Sequence, residues 1–504
     1  MVKEKLKKYR RWTRKQIAQF ITVFIVNIIV MGGILVGSIF LNGVGMNAVE
    51  QGFNEYFATI PEQFAYLMII LVLIMAVTFV YLIFENREKI QTVKDVEMIF
   101  LIIEISLLCN YFSGRYINVY FRPLALGGLL TLLLVNRRSA VFVTIVTALV
   151  TFLMDVFTNA DYAAIMGSPN AQYSSLVIGF STGIISVYLI DGVGARIKVF
   201  GRGVSTCLPV LVCLVLLEQT NLISHWERIV AGASSGILAV VLFMAILPLF
   251  EWMFKKLTNY RLAELTEHST PLIRRMIEEA PGTFNHSIVV SNLAESCATA
   301  IGENALLARC AAYYHDMGKL RQPEFFKENQ QDARNPHNDL TPELSANIVR
   351  AHAKDGYDIV RKYGLPQEIA NVCLQHHGTM PMMFFYAKAK QFKDGGDVDV
   401  EKYCYAGPKP QTKIAAILMI ADAGEAAVRS LKDRSREKVD ALIEKLINER
   451  MQLRQFEDCD ITMKELTIIR NTITNNLTGV YHSRIEYPKV NLEEIKTEET
   501  EETE

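Results

Sequence analysis

Hydrophobic and polar positions follow two different regimes along the chain, changing near residue 250. Before that point apolar residues come in long runs; after it they recur at helical spacing among charges. A hydrocarbon core about 30 Å thick is crossed by roughly 20 apolar residues in a helix. Eight segments meet or approach that length: about 19–41, 63–84, 96–112, 121–135, 139–157, 173–190, 204–217 and 229–250. The third, fourth and seventh are short or polar-flanked. After Phe250, the residues Glu251, Lys255, Lys256, Arg261 and Glu264 read as an amphipathic helix leaving the bilayer. Ser269-Thr270-Pro271 offers a cap and a first-turn proline for a new helix. Thr341-Pro342-Glu343 and Leu365-Pro366 open two more, Gly378 closes the second of these, and 390–411 reads as a loop.

The predicted fold is therefore all-α. Residues 1–62 form a basic N-terminus, an anchor helix and a short external segment; 63–250 form a seven-span bundle; 251–270 form a connecting helix. Residues 271–485 form a soluble helical domain, and the acidic, low-complexity stretch 486–504 is expected to be disordered. The first apolar run is too long for the core of a signal peptide and lacks a clear cleavage site, so a retained anchor is expected.

Composition agrees with a membrane half: 51% of the 504 residues are hydrophobic and the mean hydropathy is +0.20. The net charge of -1 conceals where the charges lie. Lys and Arg are retained in cytoplasmic loops, which makes their placement a test of sidedness. Lys3, Lys5, Lys7, Lys8, Arg10, Arg11, Arg14 and Lys15 place the N-terminus inside. Alternation then puts Arg87, Lys89, Lys94, Arg137, Arg138, Arg196, Lys198 and Arg202 in inner loops. The outer loops carry only Arg115, Arg122 and Arg228, so both termini are predicted inside. Glu104 and Asp155 lie within spans, where a carboxylate is costly. Neither has an evident basic partner at matching depth, and an interfacial or helix-paired role is favoured over a ligand site. The eight cysteines form no C-x-x-C pair, as expected of reduced thiols.

Chemistry concentrates in the second half, which carries eight of the nine histidines after residue 260 or so, His225 standing apart. His286 follows Ala280-Pro281-Gly282 near a helix start, and His315-Asp316 closes the apolar helix Ala308 to Tyr314. His352 sits within a helix, His376-His377 at a helix end, and Asp422 on the otherwise apolar stretch Ile417 to Ala423. Imidazole and carboxylate suit first-row divalent metals, and one Asp can bridge two ions through its two oxygens. Two metals about 3.5–4 Å apart can polarise a phosphoryl oxygen and activate a hydroxide for attack. His286, His352 or Asp422 alone would more readily be a hydrogen-bonded core residue; the His315-Asp316 pair with its following Gly-Lys is a stronger signal, and the ordered set is what points to metal. His225, His268, His337 and His482 lack such settings and read as structural, with His337 the one that could still line a cleft.

The spaced His, the His-Asp pair and the final Asp resemble the HD superfamily of metal phosphohydrolases. The chain is more specifically similar to the bacterial 7TM-HD family, the PgpH-like cyclic-di-AMP phosphodiesterases. That resemblance rests on Ala280-Pro281-Gly282-Thr283-Phe284-Asn285-His286-Ser287, His315-Asp316-Met317-Gly318-Lys319, Asn335-Pro336-His337 and Gln375-His376-His377-Gly378-Thr379. Gly407-Pro408-Lys409-Pro410-Gln411 and Glu425-Ala426-Ala427-Val428-Arg429-Ser430 also fit, and the likeness covers roughly residues 60–485. It implies that 271–485 is an HD phosphohydrolase domain opening cyclic di-AMP to pApA by attack of a hydroxide held on two divalent ions, Mn2+ or Fe2+. By position, His286, His315 and Asp422 would hold one metal, His352, His376 and His377 the other, with Asp316 bridging. Lys319 would neutralise phosphate charge, and no protein nucleophile is required.

The same likeness implies a bacterial cell membrane location with the HD domain cytoplasmic. The partners it implies are a cyclic dinucleotide and the lipid bilayer, with no nucleic-acid polymer; a homodimer and an unidentified ligand of the bundle stay open. Members of the family usually carry a large extracellular domain after the anchor, where this sequence has about 21 residues, Asn42 to Glu62. His377 is not followed by the Gly-Tyr-Pro typical of cyclic-di-GMP hydrolases. The alternatives are an HD hydrolase of another nucleotide or a non-catalytic nucleotide-binding receptor; transport finds no internal repeat to support it.

Overall fold

A computed structural model describes residues 13–43, 61–84, 92–158, 171–193, 196–216, 225–330, 335–392 and 397–480. Nearly all of the basic N-terminus and external segment, much of the 158–172 loop, and the acidic tail lie outside these residues. Contacts divide the chain into two compact units, Met1–Tyr260 and Arg261–Glu504. The fold is all-α: among the described residues the only strand-like pairing is an isolated bridge between Pro381 and Cys404.

The first unit contains α1 (Arg14–Gly43), α2 (Pro61–Phe84), α3 (Val93–Tyr116), α4 (Leu126–Leu134), α5 (Arg137–Thr158) and α6 (Ala171–Ile190). It continues with α7 (Arg196–Val204), α8 (Leu208–Leu216) and α9 (Trp226–Phe254). Among the described residues, six stretches are long and apolar enough to cross a membrane: Arg14–Ser38, Ala65–Phe84, Val93–Tyr116, Arg137–Val156, Arg196–Leu216 and Trp226–Phe254. Val119–Leu134 and Ser175–Ile190 are shorter apolar helices. Together these coincide with the eight segments read from the sequence, and the seventh, one of the three short or polar-flanked ones, is α7 and α8 joined by a 3₁₀ turn, Ser205–Cys207.

Helices in lipid gain nothing from hiding apolar surface from one another, so close packing of small residues holds them together. A Cβ on either Gly128 of α4 or Gly183 of α6 would overlap Thr144 of α5, so these three helices meet backbone to side chain. Asp155 of α5 receives a bidentate grip from Arg122, with both Nη–Oδ distances 2.7 Å, and Ser175 Oγ donates to it at 2.7 Å. The basic partner that the sequence did not reveal therefore exists, in the connection between α3 and α4, 33 residues away. The paired-carboxylate reading of Asp155 stands. Glu104 is also buried, and its Oε1 lacks a hydrogen-bond partner.

The expected connecting helix over 251–270 is instead two pieces. α9 ends at Phe254, where Lys255 turns left-handed (φ 53°), and α10 (Asn259–Leu265) starts anew. The left-handed residue turns the chain out of the helix, and the next N–H, that of Lys256, closes back on Glu251 O at 3.1 Å.

The second unit follows with α11 (Pro271–Glu279), α12 (Pro281–Ile301), α13 (Ala305–Tyr314), α14 (Pro342–Lys362) and α15 (Gln367–Gln375). It closes with α16 (Met383–Phe392), α17 (Lys413–Ser430), α18 (Arg436–Gln452) and α19 (Met463–Val480). The stretch 390–411 thus begins in a helix and includes a 3₁₀ turn, Val400–Tyr403. α17 is the central helix: Ile414 to Asp422 are all buried, because a helix apolar on every face can only sit inside. Around it pack Val290, Leu293 and Ala294 of α12, Ala308 and Ala311 of α13, Ile443 of α18 and Ile469 and Ile473 of α19. Asn304, Thr341 and Thr412 cap α13, α14 and α17 by accepting from Leu307, Leu344 and Ala415 N–H groups. Cys297, Cys310 and Cys373 are buried in this unit.

Removing one partner of a buried ion pair leaves an uncompensated charge and costs about 3–5 kcal/mol. Arg122→Leu should therefore lower the thermal stability of the purified chain by several degrees, and Arg122→Leu with Asp155→Leu should recover most of the loss. Additive losses in that double variant, read by thermal unfolding in detergent, would contradict the coupling.

Candidate metal centre

Every predicted ligand arrives on a helix or at a helix end of the second unit. His286 lies in the second turn of α12, whose start is pressed so closely on the 327–329 turn that a Cβ at Gly282 would overlap Glu328 O. His315 caps the C-terminus of α13, and Asp316 follows as the chain tightens into the 3₁₀ turn Met317–Arg321. Gly318 in that turn touches the His352 carbonyl of α14, again with no room for a Cβ. His376 caps α15, His377 is next, and Gly378 leaves at φ 52°. Asp422 projects from α17.

These seven side chains converge. Asp316 is at the centre and offers its two oxygens to different imidazole pairs. Oδ1 lies 3.4 Å from His352 Nε2 and 3.7 Å from His376 Nε2. Oδ2 lies 3.3 Å from His315 Nε2 and 3.8 Å from His286 Nε2. Asp422 divides similarly, with Oδ1 3.0 Å from His286 Nε2 and Oδ2 3.7 Å from His377 Nδ1. Three overlapping groups have ligand atoms within 4.8 Å of one another: Asp316-His352-His376-His377, His286-His315-Asp316 and His315-His376-Asp422.

The donor set fits divalent metal. Four imidazoles have Nδ1 engaged: His315 by Ala312 O at 2.6 Å, His352 by Val349 O, His376 by Val372 O at 3.1 Å, and His286 by Glu425 Oε2 at 2.6 Å. That fixes the tautomer and turns each Nε2 into the cluster, as metal-bound histidines require. His315 Nε2 and Asp316 Oδ1 are buried without a hydrogen-bond partner, an arrangement that costs about 1–3 kcal/mol per group unless something binds there.

Electrostatics points the same way. Burial alone would raise the Asp316 carboxyl, but His315 and Lys319 overcome it and hold it well below the usual range. Asp422 is likewise held well below, burial being outweighed by His286 and His377. Burial pushes His352 down to about 4, and burial together with His376 drives His377 well below its ordinary value. These groups therefore keep lone pairs free. His286 is the exception: burial pushes it down, but Asp422 and Glu425 outweigh that and lift it to about 10. A proton there does without metal what a cation would do with it.

Three neighbours were given no role in the site by sequence reasoning, although Glu425 lies in a stretch that carries the family resemblance. Glu425, one turn beyond Asp422 on α17, orients His286; its i, i+3 spacing was the available signal. Glu328 accepts from Lys319 Nζ at 2.6 Å, while Asp316 Oδ2 lies 2.8 Å from the same ammonium. Tyr405 stacks on His377, centroids 4.2 Å apart. No spacing could have flagged either Glu328 or Tyr405. His337 is held away from the cluster: its Nε2 meets Phe325 O at 2.9 Å, and its ring contacts those of Phe325 and Phe385. His225 pairs with Glu227 and His268 packs on Phe284, both outside the cluster, while His482 lies outside the described residues.

Residues 62–258 match the family described as 7TM receptor with intracellular HD hydrolase, and residues 283–427 match the HD domain. The chain belongs to this 7TM-HD family. It is 36% identical over 434 residues to a Bacillus subtilis protein named cyclic-di-AMP phosphodiesterase PgpH, covering 84% of this chain and 60% of that protein. A Listeria monocytogenes protein of the same name is 34% identical, covering 85% of this chain and 59% of its own length. The chain thus spans about three fifths of the curated relatives it matches. The crystal structure of the L. monocytogenes PgpH HD domain aligns at 46% identity and a TM-score of 0.41, covering 42% of this chain and 100% of that one. As a 7TM-HD chain, it carries all seven candidate ligands inside the segment matched to the HD domain.

Because His286 is raised to about 10, it carries a proton at neutral pH, and a metal bound at its Nε2 would have to expel it. Apparent metal affinity should therefore rise by up to about tenfold per pH unit between roughly 7 and 10. Calorimetry in buffers of different ionisation enthalpy should detect about one proton released from this site; a proton count near zero would mean His286 is already neutral. Glu425→Gln should weaken metal retention about 10–100-fold against a chelator while leaving the fold intact.

Proposed function

We propose that the chain is a membrane-tethered phosphodiesterase that opens cyclic di-AMP to linear pApA, using two divalent cations, manganese or iron. His286, His315, Asp316, His352, His376, His377 and Asp422 would hold them. The observation that carries this reading is Asp316, whose two oxygens face separate imidazole pairs, His352 with His376 and His286 with His315. The nucleotide comes from the names borne by the B. subtilis and L. monocytogenes relatives.

Bound cations would supply positive charge to polarise the phosphodiester and acidify a water. The remaining work belongs to the chain. Lys319, half-buried between Asp316 and Glu328 with its Nζ 5.0 Å from the centre of the Phe326 ring, is held cationic by those carboxylates against the opposing effect of burial. A fixed ammonium at the cluster edge offsets charge that builds on a phosphate, and no reorganisation is needed at the moment of reaction. Glu425 keeps His286 in one orientation, and the Nδ1 carbonyl bonds do the same for His315, His352 and His376. Cleavage would take place on the cytoplasmic side, with both termini on that side too.

Purified full chain supplied with Mn2+ should convert cyclic di-AMP to pApA in preference to other nucleotides in a panel. Asp316→Ala should reduce turnover to background, and Lys319→Met should lower kcat by about 10²-fold. Wild-type turnover by Asp316→Ala would end the mechanism; preference for another nucleotide would end the substrate assignment alone.

A further inference from the structure

α1 and α3 run side by side in the same direction. Tyr111 OH donates to Ser38 O at 3.3 Å, a pair 73 residues apart, and Phe20 and Val93, with the same offset, line one cavity at the other end. That cavity has a volume of about 730 Å³ and lies between the first turns of the two helices. Its lining combines the charged and polar residues Lys15, Gln19, Lys94 and Glu97 with the apolar Phe20 and Val23, and Thr22 stands between the last two along α1. Neither lysine has an ion-pair partner among the described residues, whereas nearby Lys256 is held by Asp95 at 2.6 Å. Outside the cavity, Ile17, Ile21 and Ile25 of α1 are exposed, as befits a helix face turned to lipid.

We infer that this cavity is a binding site for an anionic glycerophospholipid. The two lysines supply charge for the phosphate, Gln19 and Glu97 can hydrogen-bond headgroup hydroxyls, and Phe20 and Val23 receive the start of an acyl chain. A zwitterionic choline headgroup would bring its own cation towards two lysines. A free phosphate would match the charge but leave Phe20 and Val23 without an apolar partner from the ligand. The placement agrees with both lysines standing at one membrane interface, where basic clefts between spans meet anionic headgroups. This inference depends on the bundle crossing a bilayer and is independent of what the second unit hydrolyses.

The test is native mass spectrometry of the full chain, titrated with phosphatidylglycerol or phosphatidylcholine bearing identical acyl chains. The wild-type chain should hold phosphatidylglycerol about tenfold more tightly. Lys15→Gln with Lys94→Gln should abolish that preference without changing phosphatidylcholine binding or thermal unfolding, and Lys15→Arg with Lys94→Arg should keep it. Glycerol 3-phosphate should not displace the bound lipid. Equal retention of the two lipids by the wild-type chain, or an unchanged preference in the glutamine variant, would overturn the site. Displacement by glycerol 3-phosphate would overturn the lipid as its occupant.

Discussion

Two carboxylates, Asp316 and Asp422, are held ionised inside a helical domain and surrounded by five imidazoles. Withdrawing even one such charge from water costs several kcal/mol, recovered only when opposite charge and hydrogen bonds are in good geometry. In this domain Lys319 and the proton on His286 supply some of that opposite charge. The rest of the architecture follows from keeping the cluster assembled. α17 is buried on all sides to carry Asp422 inward, and the chain breaks helix at Asp316 and at His377 so that neighbouring residues can both face the centre. The carbonyls behind the rings then remove the rotational freedom that would blur it.

The membrane unit solves a different problem. Lipid offers no driving force to bring apolar helices together, so its contacts are made where side chains are missing, at Gly128 and Gly183 against Thr144. Its buried ion pair, Arg122 with Asp155, is joined by Ser175, so that three short donors reach the carboxylate. The two units therefore share a chain but draw their cohesion from different sources.

Most of this was legible beforehand because the signals were periodic or compositional. Runs of apolar residues located the spans, and the His-Asp and His-His pairs with Asp422 located the cluster, since metal needs particular atoms in a particular order. What stayed hidden depends on distance through space. Arg122 could not be matched to Asp155 because a 33-residue separation with a turn between them carries no pattern. The break at Lys255 was missed because a left-handed lysine has no compositional mark. Tyr405 and Glu328 reach the site from irregular segments, where neither period 2 nor period 3.6 applies.

Gly282 and Gly318 each lie against another segment's backbone, the first under Glu328 and the second under the His352 carbonyl. Each glycine therefore fixes how near one ligand-bearing segment can come to a second stretch of main chain. A single methyl at Gly318 would wedge the His315–Asp316 turn away from α14 and shift both halves of the cluster relative to each other. The distance between the His315–Asp316 turn and α14 is thus set by a main-chain contact as well as by the side chains of the cluster.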